Sequence, residues 1–340
     1  MKSTVLSTGK IPHDLLRRLL HRYSHGHERL LVGPAIGEDA TAIVLQEQVV
    51  VAGMDPITFA TDEIGWYVVH VNANDVAVMG AEPRWFLVTL LLPEGQVKAE
   101  DVEQIFQQMA QACKEVGATL VGGHTEVSYD LSRPLAIGVM LGEVSPEGLI
   151  SSAGAQPGDA LILARGVPIE GTAIIARERR EDLLRLGVEE ALLDRAAAYL
   201  HDPGISVVRT AMLARDTAQV HAMHDPTEGG LLMGIWELAE AAGVGVEVDL
   251  DTVPVVPEGR FLCEVYGLDP MGTIASGALL IACEPADAPT LIATLEEHGI
   301  PARIIGHITP PEEGRWVYRE GQQRPLAPPE VDEIVKIFEG

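Results

Sequence analysis

The sequence predicts an α/β fold with mixed strands, arranged as two units, and three observations carry the prediction. Short apolar runs alternate with longer helical patterns from Asp39 to Gly142, and a second alternation runs from Ala160 to about Ile308. Between them lies a Pro- and Gly-bearing stretch at 145–158, the composition of a connector. The 340 residues exceed the usual single-domain size, so each half is long enough to bury its own core. The expected units are residues 1–150 and 155–310, with a tail at 311–340.

In chain order, strands are expected near 40–45 and 48–54, the second built on the run Val49, Val50, Val51. A helix follows over 63–80. It lacks Pro, and Ile64, Val68, Val71, Asp75 and Val78 recur at spacings of four, three, four and three, one helical face. A strand at 85–92, a helix at 99–116 and strands at 119–121 and 135–141 complete the first unit. The second opens with a strand at 160–164, then helices near 172–180, 189–200 and 205–214, then strand, helix and strand. A short strand at 315–318, a Pro-rich connector and a helix near 330–338 form the tail, and no repeat or low-complexity tract appears.

Composition narrows the function classes. With 47% hydrophobic and 22% charged residues, the chain is of globular type. No stretch of 18 uncharged apolar residues occurs and the amphipathic start lacks a cleavable signal pattern, so a soluble cytoplasmic protein without membrane partners is expected. Cys113, Cys263 and Cys283 are isolated, which indicates buried thiols rather than disulfides or a zinc cluster. The formal charge of -26 argues against nucleic acid as a partner. A phosphate-bearing ligand would need a divalent cation to offset that charge.

Familiar motifs are missing. Gly9-Lys10 resembles the end of a P-loop, but Thr4 stands where the first glycine belongs. No GxGxxG follows a strand, and neither HExxH nor G-x-S-x-G occurs. His13, His21, His25 and His27 cluster near the start, where solvated side chains are the plainer reading and a chelate the sharper one.

The acidic residues are more informative. Asp75 places a carboxylate on the inward stripe of its helix, a costly position unless a cation, an arginine partner or a frayed helix end relieves it. Asp39, next to Glu38, follows a glycine-bearing turn, and Asp55 lies past an apolar strand at the edge where α/β sheets place ligands. Each alone is as readily a turn or cap. In residues 118–126, Gly122 and Gly123 would let backbone amides approach a phosphate, with His124 and Glu126 beside it; an ordinary Gly-Gly turn fits equally. Residues 224–230 (HDPTEGG) read as a helix start with Asp225 as cap and Pro226 at the first position, itself an anion site.

These segments, in this order, resemble the superfamily of aminoimidazole ribonucleotide (AIR) synthetase, thiamine-monophosphate kinase, selenophosphate synthetase and the hydrogenase maturation protein HypE, over roughly residues 30–310. The matching words are IGEDA (36–40), Met54-Asp55, VNANDVAVMGAEP (71–83), VGGHTE (121–126) and MHDPTEGGL (223–231); the HypE branch looks nearest. The resemblance implies an AIR-synthase-like fold, its N-terminal mixed sheet forming a dimeric barrel, its C-terminal unit an α/β sandwich. It implies a homodimer using ATP and Mg2+, with Asp39, Asp55, Asp75, Asp225 and Glu228 at the metal. Asn74, Gly122, Gly123 and Thr227, with Asp39 and Asp75, would border the nucleotide, and His124 and Glu126 would move protons.

By the same resemblance, an amide or carboxylate oxygen would be activated by phosphoryl transfer, with metallocentre-maturation proteins as partners. His124 stands where kinase and HypE branches tend to carry Asp, and the Asp-x-Ser-Asp-Gly of thiamine-monophosphate kinases is absent, which argues against that activity. HypE ends in a reactive cysteine, whereas no cysteine follows Cys283 here. The thiol chemistry is therefore expected to be absent unless the chain is truncated or another chain brings the thiol. The competing expectation is a nucleotide-binding paralogue acting as a regulator or scaffold.

Overall fold

The structure, a computed structural model, describes residues 12–24, 26–57 and 62–338; Gly9-Lys10 and His25 lie outside the described residues. Two sheets carry the fold. The first contains β1 (Leu30–Val32), β2 (Thr41–Leu45), β3 (Gln48–Gly53), β4 (Pro56–Ile57), β5 (Glu82–Pro93), β6 (Thr119–Ser128) and β7 (Leu135–Val144). Its order is β1-β2-β3-β7-β5-β6, with β4 also on β7. All pairs are antiparallel except β5 with β6. The alternating burial along β7 gives the sheet one packed face.

Helices α1 (His13–Tyr23), α2 (Ile64–Val78) and α3 (Ala99–Val116) belong to this half. Periodicity predicts a single inward stripe on α2, but all fifteen of its residues are buried. The helix lies between the sheet, α3 and elements of the second half, so no side of it meets water. Val68, Ala73 and Val76 pack with Phe86, Leu90 and Met140 in one apolar cluster.

The second half holds α4 (Ile169–Glu178), α5 (Arg180–Arg185), α6 (Glu190–Ala198), α7 (Val208–Thr217), α8 (Gly230–Ala242), α9 (Pro257–Tyr266) and α10 (Ala288–Glu297). Its strands are β8 (Ala160–Ala164), β9 (Val220–His224), β10 (Gly245–Asp249), β11 (Leu279–Cys283), β12 (Ala302–Thr309), β13 (Arg315–Arg319) and β14 (Gln322–Pro325). They run in the order β14-β13-β10-β12-β8-β11-β9. β8 and β11 are buried at every residue, as their unbroken apolar sequences require.

Four expectations shift. The strand read at 119–121 continues to Ser128, because pairing with β5 carries it through the glycines. The helix read at 205–214 starts at Val208, because Asn74 holds the turn before it. The last helix is a short 3-10 turn, Glu333–Ile337, started by Asp332, and the stretch taken for a connector contains β14. The three cysteines are free and buried, as expected.

Candidate functional site

A cavity of ≈ 340 Å³ opens between the loop preceding β2, the carboxyl end of β3, α2 and α8. Glu38, Asp39, Asp55, Asp75, Asp225 and Glu237 line it, with Thr227 and, from α1, His13 and Leu16. Neither lysine nor arginine is among its described lining residues. Gly37, at φ +83, brings the Asp39 loop against α8; a Cβ there would sit 2.3 Å from the Glu237 carbonyl oxygen. Asp55 is fixed through its backbone. Its N–H donates to Asn72 Oδ1 at 2.8 Å, and its carbonyl accepts from Asn72 Nδ2 at 3.2 Å. Asn72 therefore positions one carboxylate from the helix that presents another, Asp75.

His224 joins the halves. Its Nδ1 meets Asp39 Oδ2 at 2.8 Å and its Nε2 meets Glu237 Oε2 at 3.2 Å, a geometry in which both ring nitrogens donate. Burial works against the charge on the ring, but the flanking Asp39 and Glu237 outweigh it and hold the imidazolium well above its ordinary pKa. Asp225 behaves oppositely: burial, with the Asp39 and Asp55 charges, pushes its carboxyl well above the usual range while His224 pulls it back. Its Oδ2 is buried without a hydrogen-bond partner. Glu38 is raised chiefly by burial, and its Oε1 accepts from Ser151 Oγ at 2.8 Å and from the Ala153 amide at 3.1 Å.

Such a pocket repels a bare anion and attracts a cation. Apart from His13 the donors are all oxygen, as magnesium prefers, and the buried Asp225 Oδ2 has no hydrogen-bond partner. Among the described residues no three His, Cys, Asp or Glu side chains converge tightly enough to hold a metal by themselves. The residues thus fit magnesium delivered with a ligand that completes its coordination, rather than a resident protein-caged ion.

The remaining predicted residues fall elsewhere. Asn74 is buried and ties the halves together, Nδ2 donating to the Ile205 carbonyl at 2.9 Å and Oδ1 accepting from the Val207 amide at 2.8 Å. Glu228 is not among the described lining residues of the cavity. Asp225 does not cap α8: the helix begins at Gly230 with Gly229 before it, because a turn from Thr227 to Gly230 intervenes. Gly122, Gly123, His124 and Glu126 lie on β6, exposed and away from this lining, with His124 Nε2 and Glu126 Oε2 3.0 Å apart. Gly123, at φ +143, is demanded by strand pairing, since a Cβ would fall 1.9 Å from the Val88 carbonyl oxygen.

Sequence reasoning missed Asn72, His224 and Glu237 as site residues. Glu237 carried the same signal as Asp75, an acid inside an apolar helix. His13 is half-buried at the cavity and stacks on Trp236, ring centroids 4.7 Å apart.

Two seven-stranded mixed sheets meeting at an acidic cleft define a class of protein, and comparison with known families agrees. The N-terminal domain of AIR synthase related proteins matches residues 37–144 and the C-terminal domain matches residues 156–319. The chain belongs to the AIR synthase related family. Within it, the carbamoyl dehydratase HypE of Cupriavidus necator is 34% identical over 269 residues, spanning 77% of this chain and 72% of the relative. The two-domain architecture is that of solved HypE structures. A HypE–HypF complex matches with TM-score 0.73 at 20% identity, covering 93% of this chain and 99% of that one. HypE in complex with ATP matches with TM-score 0.72 at 24% identity, covering 97% and 98%. No helix among the described residues is long and apolar enough to cross a membrane.

Proposed function

We propose that this chain is an ATP- and magnesium-dependent enzyme of HypE type, which transfers a phosphoryl group to an amide or carboxylate oxygen so that this oxygen can leave as phosphate. The observation that carries the reading is the cavity with six carboxyl side chains, and neither lysine nor arginine, among its described lining residues, one of the six with a buried unpartnered oxygen. Phosphates enter such a site only with a cation. Asp39, Asp55, Asp75 and Asp225 would hold magnesium, which neutralises charge on the triphosphate. The chain's own work is positional: Asn72 fixes Asp55, His224 fixes Asp39 against α8, and Thr227 borders the ligand. The solved HypE–ATP complex supports the nucleotide, and the HypE–HypF complex supports a protein partner in hydrogenase or other metallocentre maturation.

The residue 1–150 unit would bind nucleotide and dimerise, with 155–310 closing the site and 311–340 as its tail, in the cytoplasm. β6 supports the homodimer: it is an edge strand of ten residues, with Val121 and Val127 exposed on it and Tyr129 exposed just past its end. A second copy over that face would bring Gly122, Gly123, His124 and Glu126 into a shared site. Nucleotide hydrolysis by wild type and Asp75→Ala tests the proposal. Metal-dependent turnover should fall about a hundredfold, the scale of losing one charge-stabilising group; equal turnover removes Asp75 from the mechanism. ATP binding without turnover in the wild type would support a regulatory or scaffold role instead.

A further inference from the structure

From the sequence, the start of α8 is an expected anion site, and the chain itself supplies the anion. Asp332, just before the last turn of the tail, is buried, and its Oδ2 accepts from the Gly229 amide at 2.6 Å. Its Oδ1 accepts from the Ile334 amide at 2.7 Å and from the Ile274 amide at 3.3 Å. The Ile334 bond caps the tail's own turn. The other two reach across the fold, to residues 103 and 58 positions earlier in the chain. Bonds from amides to a buried carboxylate are charge-assisted and stronger than neutral ones. Docking of the tail has its own source, because Ile334 and Ile337 share an apolar cluster with Ile175 of α4 and Leu262 of α9.

The two segments that Asp332 joins are those that hold Thr227. Gly229 and Gly230 lie at φ +82 and +62, and they fold the chain after Thr227 into a tight turn. A Cβ on Gly230 would sit 2.6 Å from the Thr273 carbonyl oxygen, so the turn presses directly on the 271–274 segment. The Thr227 carbonyl accepts from the Gly230 amide at 3.0 Å and from the Ala275 amide at 3.3 Å. Each of those amides is one residue beyond an amide bound to Asp332. Thr227 itself lines the carboxylate cavity beside Asp225. A turn built on consecutive glycines loses much conformational freedom when ordered, and the bridging carboxylate supplies the restraint.

We propose that Asp332 is a positioning residue of the nucleotide site: by clamping the Gly229 and Ile274 amides, it sets the turn that presents Thr227 to the bound nucleotide. It acts through Thr227 and does not touch the ligand. The tail thereby becomes part of the site, and the Gly229 amide is closed to any ligand phosphate because the carboxylate already holds it. The inference rests on the nucleotide reading of the cavity.

Calorimetry on the full chain with magnesium and a non-hydrolysable ATP analogue tests it. Asp332→Asn is near-isosteric but replaces one accepting oxygen by an NH2 group. Asp332→Ser still caps the Ile334 amide but is too short to hold Gly229 as well. Each should weaken the analogue about tenfold, the loss of one good contact. Glu333→Gln, on the same turn but bonded to the Asp269 amide, should leave it unchanged. In a Thr227→Ala background the Asp332 substitutions should have no further effect, because their route to the ligand is gone. Losses that persist in that background, unchanged affinity in both Asp332 variants, or an equal loss in Glu333→Gln would make Asp332 a structural part of the tail and overturn the proposal. If the wild type binds no analogue, the nucleotide reading fails instead. Amide exchange at Gly229 then decides the clamp: it should be about tenfold faster in both Asp332 variants, and equal exchange overturns it.

Discussion

α2 and β6 both carry predicted site residues of the first half, and they are buried in opposite ways. Every residue of α2 is enclosed, whereas β6 is exposed along nearly its whole length. In α2 the polar groups have defined intramolecular duties: Asn72 holds Asp55, Asn74 holds the turn before α7, and Asp75 faces the cavity. On β6, His124 and Glu126 meet mainly each other and water, an arrangement worth at most about 1 kcal/mol. One segment is completed by its own chain; the other gains a role only when something covers it.

The largest test of that contrast is Asn74→Ala. The substitution leaves the Ile205 carbonyl and the Val207 amide without their side-chain partner in a buried contact between the halves. Unfolding by denaturant should show a loss of about 2–4 kcal/mol, against at most about 0.5 kcal/mol for Glu126→Ala on the exposed face. A loss below that of the surface substitution would mean that Asn74 does not hold the halves.

The same contrast separates what could be read in advance from what could not. Asp75 stands out in the sequence because a lone acid in an apolar helix is costly in any fold, and the structure buries it in the lining of the cavity. The total burial of α2 was hidden in its periodicity, which describes the helix alone and not the second half packed on it. Gly122 and Gly123 looked like a phosphate loop because glycine permits both uses, and only the pairing of β6 with β5 shows why Gly123 is there. His224 lies within the HDPTEGG word, but its role is not legible there, since its partners come from loop and helix positions 185 residues before and 13 after it. The architecture was legible in local pattern; the ion-pair relay was a tertiary fact.

If a second copy covers β6, a charge placed there must lose its water. Val127→Asp should therefore weaken self-association about tenfold, ~1.4 kcal/mol, as read by sedimentation equilibrium. Its effect on unfolding of the isolated chain should be small, because Val127 is 60% exposed. A monomeric wild type, or unaltered association in the variant, would leave β6 as a free edge and separate His124 and Glu126 from any shared site.

The smallest effect concerns His70, buried on α2 against Trp66 with both ring nitrogens unpartnered. Glu115 is 3.9 Å away, beyond hydrogen-bond range, so it does not rescue the charged form. Burial, with the neighbouring His201, pushes the ring pKa down to about 3. The unfolded chain binds a proton near pH 6.5, so between there and about 3 it holds more protons than the folded chain. Stability from this residue is therefore present above that window and lost as pH falls into it. Glu170 and Asp332, raised by burial to about 7 and about 6, act in the opposite direction, which makes the difference from His70→Leu the informative quantity. From pH 6 to 5 the wild type should lose about 1 kcal/mol relative to that variant. Parallel pH profiles would show that the ring is protonated, or hydrated, in the folded helix.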